Sequence, residues 1–324
     1  PRRRVERGKV VSERLVEEIR NVVDDWGGHV YDIGASIGIT EISGSRSEPA
    51  ELMKEADVAC YAAKSAGRGQ VSVYHPDESD AERHHREINI AAKLRMAIDS
   101  NRMTLFGQEI VSLGGDADPR DRHIEILIRM RNESGELLSP GAFIPAAERY
   151  GMMAGIDRWV IVEVLTGHAQ AFHRDPNLSM SINLSANSLD DPLLWPFVYE
   201  QLTYAEIPAD RICFEITETA LINNLASATF FARSAKQHGC RISLDDFGVG
   251  LSSFSYLKDF RVDELKIDGS FIRQIEENNA DTQIVEAMIS VGKALGIDTV
   301  AEWVEGPETL AIVKQLGADR AQGY

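Results

Sequence analysis

The residues of this sequence that could carry out chemistry are polar side chains at the ends of β-rich segments. They are Glu125, Asn183, Glu215, Asp245 with Asp246, Lys266, Glu302 and Gln322. A carboxylate between apolar neighbours, such as Glu215 between Phe214 and Ile216, is costly to bury unless it is paired or binds a metal ion. Because the set offers oxygen ligands and no Cys or His, it favours Mg²⁺, Mn²⁺ or Ca²⁺ over zinc or copper.

Each of these residues also has an ordinary structural explanation. Asp245–Asp246 could cap a turn, since Asp favours turns. Lys266 could pair with Asp263 or Asp268, and Asn183 could form an Asx turn. Polar residues at seven successive strand ends are nevertheless hard to explain as independent events, so the sequence favours one shared site.

Short β-rich segments alternate with helical segments, a pattern typical of parallel βαβ units. The predicted strands are Leu105–Val111, Ile124–Met130, Met180–Leu184, Ile212–Thr217, Ile242–Phe247, Glu264–Asp268, Thr299–Trp303 and Arg320–Tyr324. The predicted helices include Asp157–His173, Leu193–Tyr204, Leu225–His238, Asp281–Leu295 and Pro307–Leu316. This series favours an α/β fold with a (β/α)8 TIM-like barrel over an open sheet, and no Gly-x-Gly-x-x-Gly motif supports a dinucleotide-binding sheet. In such a barrel the carboxyl ends of the strands converge on one mouth, where we expect the shared site.

The chain divides at a polar segment that begins near Tyr74. We predict a first segment over 1–80, a linker helix over 81–100 and the barrel over 101–324. The elements predicted for the first segment are a helix (Ser12–Val23), a strand (His29–Thr40), a helix (Pro49–Ala66) and a short strand (Gln70–Tyr74).

Composition limits the classes of function. The chain has 34 Lys and Arg against 51 Asp and Glu, a net charge of −17, which argues against binding to duplex nucleic acid. A nucleotide substrate stays possible, because bound divalent cations bring phosphates into an acidic pocket. Three cysteines without C-x-x-C spacing argue against a disulfide framework or a zinc ribbon. With no signal peptide or long apolar run, we expect a cytoplasmic location, although the parent protein could be membrane-anchored.

A series of motifs follows in order through residues 82–324. The motifs are Glu125-Ile-Leu-Ile-Arg129, Ser139-Pro-Gly-Ala-Phe-Ile-Pro-Ala-Ala-Glu148, Ser181-Ile-Asn183-Leu-Ser, Phe214-Glu215-Ile-Thr-Glu218, Leu244-Asp245-Asp246-Phe-Gly-Val-Gly250, Glu264-Leu-Lys266-Ile-Asp268, Ala301-Glu302-Trp-Val-Glu305 and Ala321-Gln322-Gly-Tyr324. Together they resemble the EAL-domain cyclic di-GMP phosphodiesterases, with Glu125–Arg129 in the place of the E-A-L-x-R signature. The resemblance implies a barrel enzyme that hydrolyses cyclic di-GMP to linear pGpG.

The resemblance also implies a metal site and two catalytic residues. The residues that would hold two Mg²⁺ or Mn²⁺ ions are Glu125, Asn183, Glu215, Asp245 and Asp246. Lys266 would orient or activate the attacking water, and Glu302 would be the general base. Two such ions assist the attack of water on a phosphodiester, whereas Ca²⁺ is expected to inhibit because it tolerates looser geometry.

Substrate contacts and loop support are implied in the same way. Arg129 would contact the substrate phosphate, and Gln108 and Gln322 would line the nucleotide pocket. Glu218 and Glu305 would support the loops of the site. The resemblance further implies a homodimer formed through the barrel and sensor domains upstream in the parent protein.

Three positions depart from the family pattern. Ile126 replaces Ala in the signature, Val249 replaces Thr after Asp246, and Trp303 replaces Gly after Glu302. The Trp303 ring could reshape the pocket, stack beside a guanine or pack behind the strand, and we favour packing. Because the sequence stops at Tyr324, we also expect the barrel to lack its last helix.

The first segment resembles the C-terminal part of a GGDEF (diguanylate cyclase) domain. The resemblance rests on Gly34–Ile39 and Ala56–Arg68, while the GGDEF signature itself is absent. We therefore expect no cyclic di-GMP synthesis by this chain. For the barrel, two hypotheses stay open: a phosphodiesterase, or a receptor that holds cyclic di-GMP without cleaving it. Receptors of this kind typically lose metal ligands or the base, so the intact set favours the enzyme.

Overall fold

A computed structural model describes residues 2–20, 23–26, 29–32, 35–42, 52–53, 55–56, 59–60, 63, 71–74, 94–98, 100, 102–114, 121–132, 134–249, 256–257, 260–276 and 278–323. The chain divides into two units, Pro1–Asn89 and Ile90–Tyr324. This boundary falls inside the predicted linker, of which 94–98 is helical. Residues 81–93 lie outside the described residues, so the linker helix as a whole stays a prediction.

The first unit contains a long helix and two pairs of short strands. The elements are α1 (Arg2–Arg20), β1 (Val23–Trp26), β2 (His29–Asp32), β3 (Ile37–Ile39) and β4 (Val71–Val73). Strands β1 and β2 pair antiparallel, and β3 and β4 pair parallel. The helix predicted from Ser12 begins ten residues earlier, at Arg2, because the preceding Arg- and Lys-rich residues also favour helix. The predicted strand His29–Thr40 is divided between β2 and β3. The interpretation of this unit as part of a GGDEF domain stays a prediction.

Eight strands of the second unit close into a barrel, which confirms the predicted fold class. They are β5 (Met103–Ser112), β6 (Arg122–Arg131), β8 (Leu178–Leu184), β9 (Ile212–Thr217), β10 (Arg241–Phe247), β11 (Glu264–Ile267), β12 (Asp298–Ala301) and β13 (Arg320–Gln322), and the short β7 (Leu137–Leu138) pairs with the edge of β6. The order around the barrel is β5-β13-β12-β11-β10-β9-β8-β6, and β6 returns to β5. Strand β5 runs antiparallel to both neighbours. The prediction of parallel βαβ units is therefore wrong for the first strand of the barrel. Two antiparallel strands can follow one another without a crossover helix between them.

Helices follow most of the barrel strands. They are α2 (Pro140–Arg149), α3 (Met153–Val162), α4 (Ala169–Arg174), α5 (Ala186–Leu189), α6 (Leu194–Ala205), α7 (Glu218–Asn223), α8 (Leu225–Gln237), α9 (Gly269–Ile272), α10 (Asn279–Leu295) and α11 (Pro307–Leu316). The predicted helix Asp157–His173 is interrupted at Glu163–Gly167, a π-helical turn in which the His168 amide donates to the Glu163 carbonyl. Among the helices that the structure describes, none combines the length and the apolar character that crossing a membrane requires.

Two layers of polar side chains fill the barrel interior, because residues two apart on a strand point to the same side. The upper layer, near the carboxyl ends of the strands, consists of Glu125, Asn183, Glu215, Asp245, Lys266, Glu302 and Gln322. The lower layer, near the amino ends, consists of His123, Ser181, Arg241, Glu264 and Arg320. Alternate residues such as Ile182, Phe214 and Leu265 belong to the apolar core. The strands therefore place the predicted site residues at one end of the barrel.

Candidate active site

The ammonium group of Lys266 lies at the centre of the upper layer. Its Nζ atom is 3.2 Å from Glu125, 2.9 Å from Glu215, 3.3 Å from Asp245 and 2.9 Å from Glu302. The Lys266 side chain is only 1% exposed. Burial alone lowers the pKa of a lysine, but the four carboxylates outweigh burial and raise the pKa of Lys266. Lys266 is therefore a fully buried cation in contact with four carboxyl groups.

Glu125 is held by two amides as well as by Lys266. Nδ2 of Asn183 donates to Glu125 Oε1 at 2.7 Å, and Nε2 of Gln322 donates to Glu125 Oε2 at 2.6 Å. Burial acts to raise the pKa of Glu125, but Lys266 and the two amides together lower it. The amide of Gln322 also donates to Gln108 Oε1 at 3.2 Å. The lowered pKa means that Glu125 is ionised. Through Gln322, a residue predicted to bind the substrate contacts Glu125, a residue predicted to bind a metal ion.

Two buried carboxylate oxygens of the upper layer accept no hydrogen bond among the described residues. They are Glu215 Oε1 and Asp245 Oδ1, and the latter lies 3.3 Å from Lys266 Nζ as an ion pair without hydrogen-bond geometry. One oxygen from each of Asp245, Asp246 and Glu302 lies within 4.8 Å of the other two. Burial and the neighbouring Glu125 raise the pKa of Glu215 well above its ordinary value. Buried oxygen donors without sulfur or imidazole are the ligands that Mg²⁺ and Mn²⁺ take, so the donor set fits such a cation.

A bend at the end of β10 brings Asp246 to the mouth. The register between β10 and β11 shifts over Leu244–Phe247, and Asp246 has a left-handed φ of +54°. Burial raises the pKa of Asp246 to about 6, and neighbouring carboxylates add to this rise. The amide of Gly248 donates to Glu218 Oε2 at 3.0 Å, and the Tyr256 hydroxyl donates to Glu218 Oε1 at 2.8 Å. The sequence analysis predicts that Glu218 supports this loop, and in the structure Glu218 contacts it.

Glu302 follows β12 directly, and its amide donates to the carbonyl of Ile267 at 3.3 Å. Burial raises the pKa of Glu302 to about 7, against the opposing effect of Lys266. The next residue, Trp303, has a φ of +55°. Its ring packs against Arg273, whose Cζ lies 3.6 Å from the ring centroid. The ring therefore packs on Arg273, whereas stacking beside a guanine and reshaping of the pocket stay predictions. The left-handed backbone is a conformation that glycine adopts easily.

The simpler structural explanations do not hold for Lys266 and Asn183. Asp263 pairs with Lys236 at 2.5 Å, and Asp268 caps α9 by accepting from the amide of residue 270. Neither acid pairs with Lys266. The side-chain amide of Asn183 donates across to the next strand and forms no Asx turn.

For Arg129 and Glu305, the described part of the chain shows no hydrogen bond or ion pair with the upper layer. The Arg129 guanidinium donates to the carbonyl of Ile128 at 2.9 Å and lies 5.6 Å from the Phe106 ring centroid. Glu305 is exposed. The roles of Arg129 in phosphate binding and of Glu305 in loop support stay predictions.

The sequence reasoning missed a second buried acid beside the mouth. A cavity of about 460 Å³, lined largely by apolar side chains, opens next to Glu125 and Asn183. In its wall, Asp157 Oδ2 accepts from the Ser185 amide at 2.9 Å and from the Ser185 and Ser188 hydroxyls at 2.6 Å each. Burial raises the pKa of Asp157. Two features of the sequence could have indicated this contact: Asp157 is an acid within an apolar helical segment, and Ser185 directly follows a predicted strand.

The closed barrel with oxygen donors gathered at the carboxyl ends of its strands defines a TIM-like barrel protein whose site suits a divalent cation. The EAL domain family model matches residues 91–324 of this chain. The chain therefore belongs to the EAL domain family.

Curated relatives and a solved structure extend this comparison. The chain is 35% identical over 294 residues to cyclic di-GMP phosphodiesterase PdeB of Shewanella oneidensis, covering 91% of this chain and 34% of PdeB. It is 37% identical over 232 residues to cyclic di-GMP phosphodiesterase PdeF of Escherichia coli, covering 72% of this chain and 30% of PdeF. The FimX EAL domain from Pseudomonas aeruginosa bound to c-di-GMP superposes with a TM-score of 0.67 at 29% identity, over 73% of this chain and 94% of that domain. The chain spans about a third of the length of these curated relatives.

Proposed function

We propose that the barrel hydrolyses cyclic di-GMP to linear pGpG and that the reaction requires two divalent cations, Mg²⁺ or Mn²⁺. The observation that carries the proposal is the upper layer, in which four carboxylates surround one ammonium and the buried Glu215 Oε1 accepts no hydrogen bond among the described residues. The relatives named as cyclic di-GMP phosphodiesterases support the choice of substrate. When bound, two such ions lower the pKa of water and stabilise the attacking and leaving oxygens of a phosphodiester.

In this proposal the acids and the amide of the upper layer are the ligands. The first ion would be held by Glu125, Asn183, Glu215 and Asp245. The second would be held by Asp245 and Asp246, with Glu302 beside them. Asn183 supports this assignment, because its Nδ2 donates to Glu125 and its carbonyl oxygen is thereby left for an ion.

Glu302 and Lys266 would carry the proton transfer and the positioning. Glu302 accepts a proton from the attacking water, and its pKa of about 7 suits a general base at neutral pH. Lys266 holds one oxygen of Glu302 at 2.9 Å and thereby fixes the orientation of that carboxylate towards the water. The same ammonium limits the repulsion among the buried acids.

The remaining residues would bind the substrate and support the site. The Arg129 guanidinium offers a planar fork that matches a phosphate. Gln108 and Gln322, which contact each other, would line the nucleotide pocket. Glu218 would hold the Gly248 loop through its two hydrogen bonds, and Glu305 would support its own loop. A homodimer through the barrel and control by upstream sensor domains belong to the same proposal.

Product analysis tests the proposal. The chain is incubated with cyclic di-GMP and Mg²⁺ or Mn²⁺, with a chelator control, and the nucleotides are separated by chromatography. We expect pGpG only where the cation is present, and no product from Glu215→Ala. Glu200→Ala removes an exposed glutamate of α6 and should behave as wild type. Intact cyclic di-GMP retained by the protein would favour the receptor, and full turnover in chelator would contradict the metal requirement.

A further inference from the structure

Trp303 has a backbone conformation that large side chains rarely adopt. Its φ is +55°, and the other described non-glycine residues with positive φ are Glu206 and Asp246. The left-handed conformation is strained for any residue with a Cβ atom, and strain that persists tends to cluster at functional sites. Trp303 directly follows Glu302, whose carboxylate lies 2.9 Å from Lys266.

Helix α9 provides a fitted surface for the Trp303 ring. The Arg273 guanidinium lies over the ring at 3.6 Å, within the range of a cation–π interaction. At Gly269, one turn earlier, an added Cβ atom would lie 1.9 Å from Cδ1 of the ring. Glycine is therefore required there for the ring to approach the helix. The ring is still 43% exposed, so burial alone does not explain its position.

The contact between Trp303 and α9 connects the two segments that carry Glu302 and Lys266. On the backbone, the Glu302 amide donates to the Ile267 carbonyl at 3.3 Å. Ile267 follows Lys266 directly, and α9 begins two residues later, at Gly269. The ring thus adds a side-chain attachment to this backbone hydrogen bond. Both attachments fix the turn after Glu302 relative to the strand of Lys266.

We propose that Trp303 is a positioning residue whose ring, seated on Gly269 and Arg273, holds the left-handed turn after Glu302 and so keeps the Glu302 carboxylate on Lys266. The inference rests on the proposed function, because it treats Glu302 as the proton acceptor. In this role the ring acts through Glu302 and not through binding of the nucleotide. Its loss therefore lowers kcat and leaves KM nearly unchanged.

Kinetics with cyclic di-GMP test this positioning role. We expect Trp303→Ala to lower kcat about tenfold or more with KM changed less than about twofold, because small misplacements of a reacting group are costly. Trp303→Phe keeps a ring on α9 and should retain most activity. Gly269→Ala should give the same loss of kcat with Trp303 present, and the double variant should be no worse than either single variant. Glu206→Ala is the matched control, since it truncates another side chain with a left-handed φ, at the end of α6, and should leave both constants unchanged.

A fluorescence measurement tests the seat of the ring without turnover. The difference in acrylamide quenching between wild type and Trp303→Phe isolates Trp303, and Gly269→Ala should increase quenching of that ring. Unchanged quenching in Gly269→Ala, unchanged kcat in Trp303→Ala, or a raised KM with normal kcat would each overturn the proposal. The absence of pGpG from wild type would instead contradict the proposed function, while the quenching result would still stand.

Discussion

Replacement of Lys266 by methionine should strongly destabilise the barrel in the absence of divalent cations. The Lys266 side chain is 1% exposed, and its Nζ atom lies 2.9–3.3 Å from four carboxylates. Removing one partner of a buried ion pair typically costs about 3–5 kcal/mol, because the charge left behind stays buried. Methionine keeps an unbranched apolar side chain that fills space well, so the loss reports mainly the missing charge. We therefore expect the free energy of unfolding to fall by about 3–5 kcal/mol in chelator.

The size of this loss should depend on pH. Burial already raises the pKa values of Glu215 and Glu302, and removal of Lys266 raises them further in the folded state alone. A carboxyl group whose pKa is higher in the folded than in the unfolded protein favours folding at low pH. This contribution to the free energy of unfolding is lost as the pH rises through the folded-state pKa. The penalty of Lys266→Met should therefore be larger at pH 8 than at pH 5. Saturating Mn²⁺ should stabilise this variant more than wild type, because the ions then supply the missing positive charge.

Urea unfolding followed by circular dichroism measures these effects, with and without Mn²⁺. Lys236→Met is the matched control, because Lys236 pairs with Asp263 while the two side chains are 30% and 32% exposed. A pair exposed to this degree contributes about 0–1 kcal/mol. A loss for Lys266→Met no larger than for Lys236→Met would refute the reasoning. Equal stabilisation of variant and wild type by Mn²⁺ would show that the four carboxylates do not depend on Lys266 for compensation.

Further predictions concern the proposed reaction. Glu302→Gln should bind cyclic di-GMP with wild-type affinity in Ca²⁺, by calorimetry, but cleave it at least about a hundredfold more slowly in Mg²⁺, the scale of a lost general base. Arg129→Lys should weaken nucleotide binding about tenfold and leave metal affinity unchanged, because Lys lacks the planar fork; equal nucleotide binding would remove Arg129 from the site. Cation binding should release protons near pH 7 and tighten as pH rises, because the pKa of Glu302 is about 7 and that of Glu215 is raised; calorimetry in buffers of different ionisation enthalpy measures this release. Excess Ca²⁺ should inhibit turnover in Mg²⁺, and undiminished turnover would contradict a site built for the smaller ion.

The barrel strands were predictable from the sequence because their signals are local. The predicted strand Ile212–Thr217 has the same bounds as β9, and its Glu215 stands out as an acid among apolar residues. The gathering of these residues at one mouth was predictable, but the individual side-chain pairs were not, because contacts across a barrel depend on the register of all eight strands. Lys266 reaches Glu125, 141 residues earlier in the chain, although sequence neighbours offered simpler partners. The antiparallel course of β5 was missed for a related reason: alternation of strand and helix does not determine strand direction at the start of the barrel.

The two polar layers of the barrel show that the excess of negative charge in the upper layer is not imposed by the fold. In the lower layer Glu264 lies 3.6 Å from Arg241 and 3.7 Å from Arg320, so two cations face this carboxyl group. Burial and these arginines lower the pKa of His123 to about 3, which keeps it neutral. In the upper layer a single ammonium faces four carboxyl groups. Because uncompensated buried charge is costly, an interior shaped by stability alone would resemble the lower layer at both ends. The deficit of positive charge in the upper layer therefore corresponds to the cations that the proposed reaction requires.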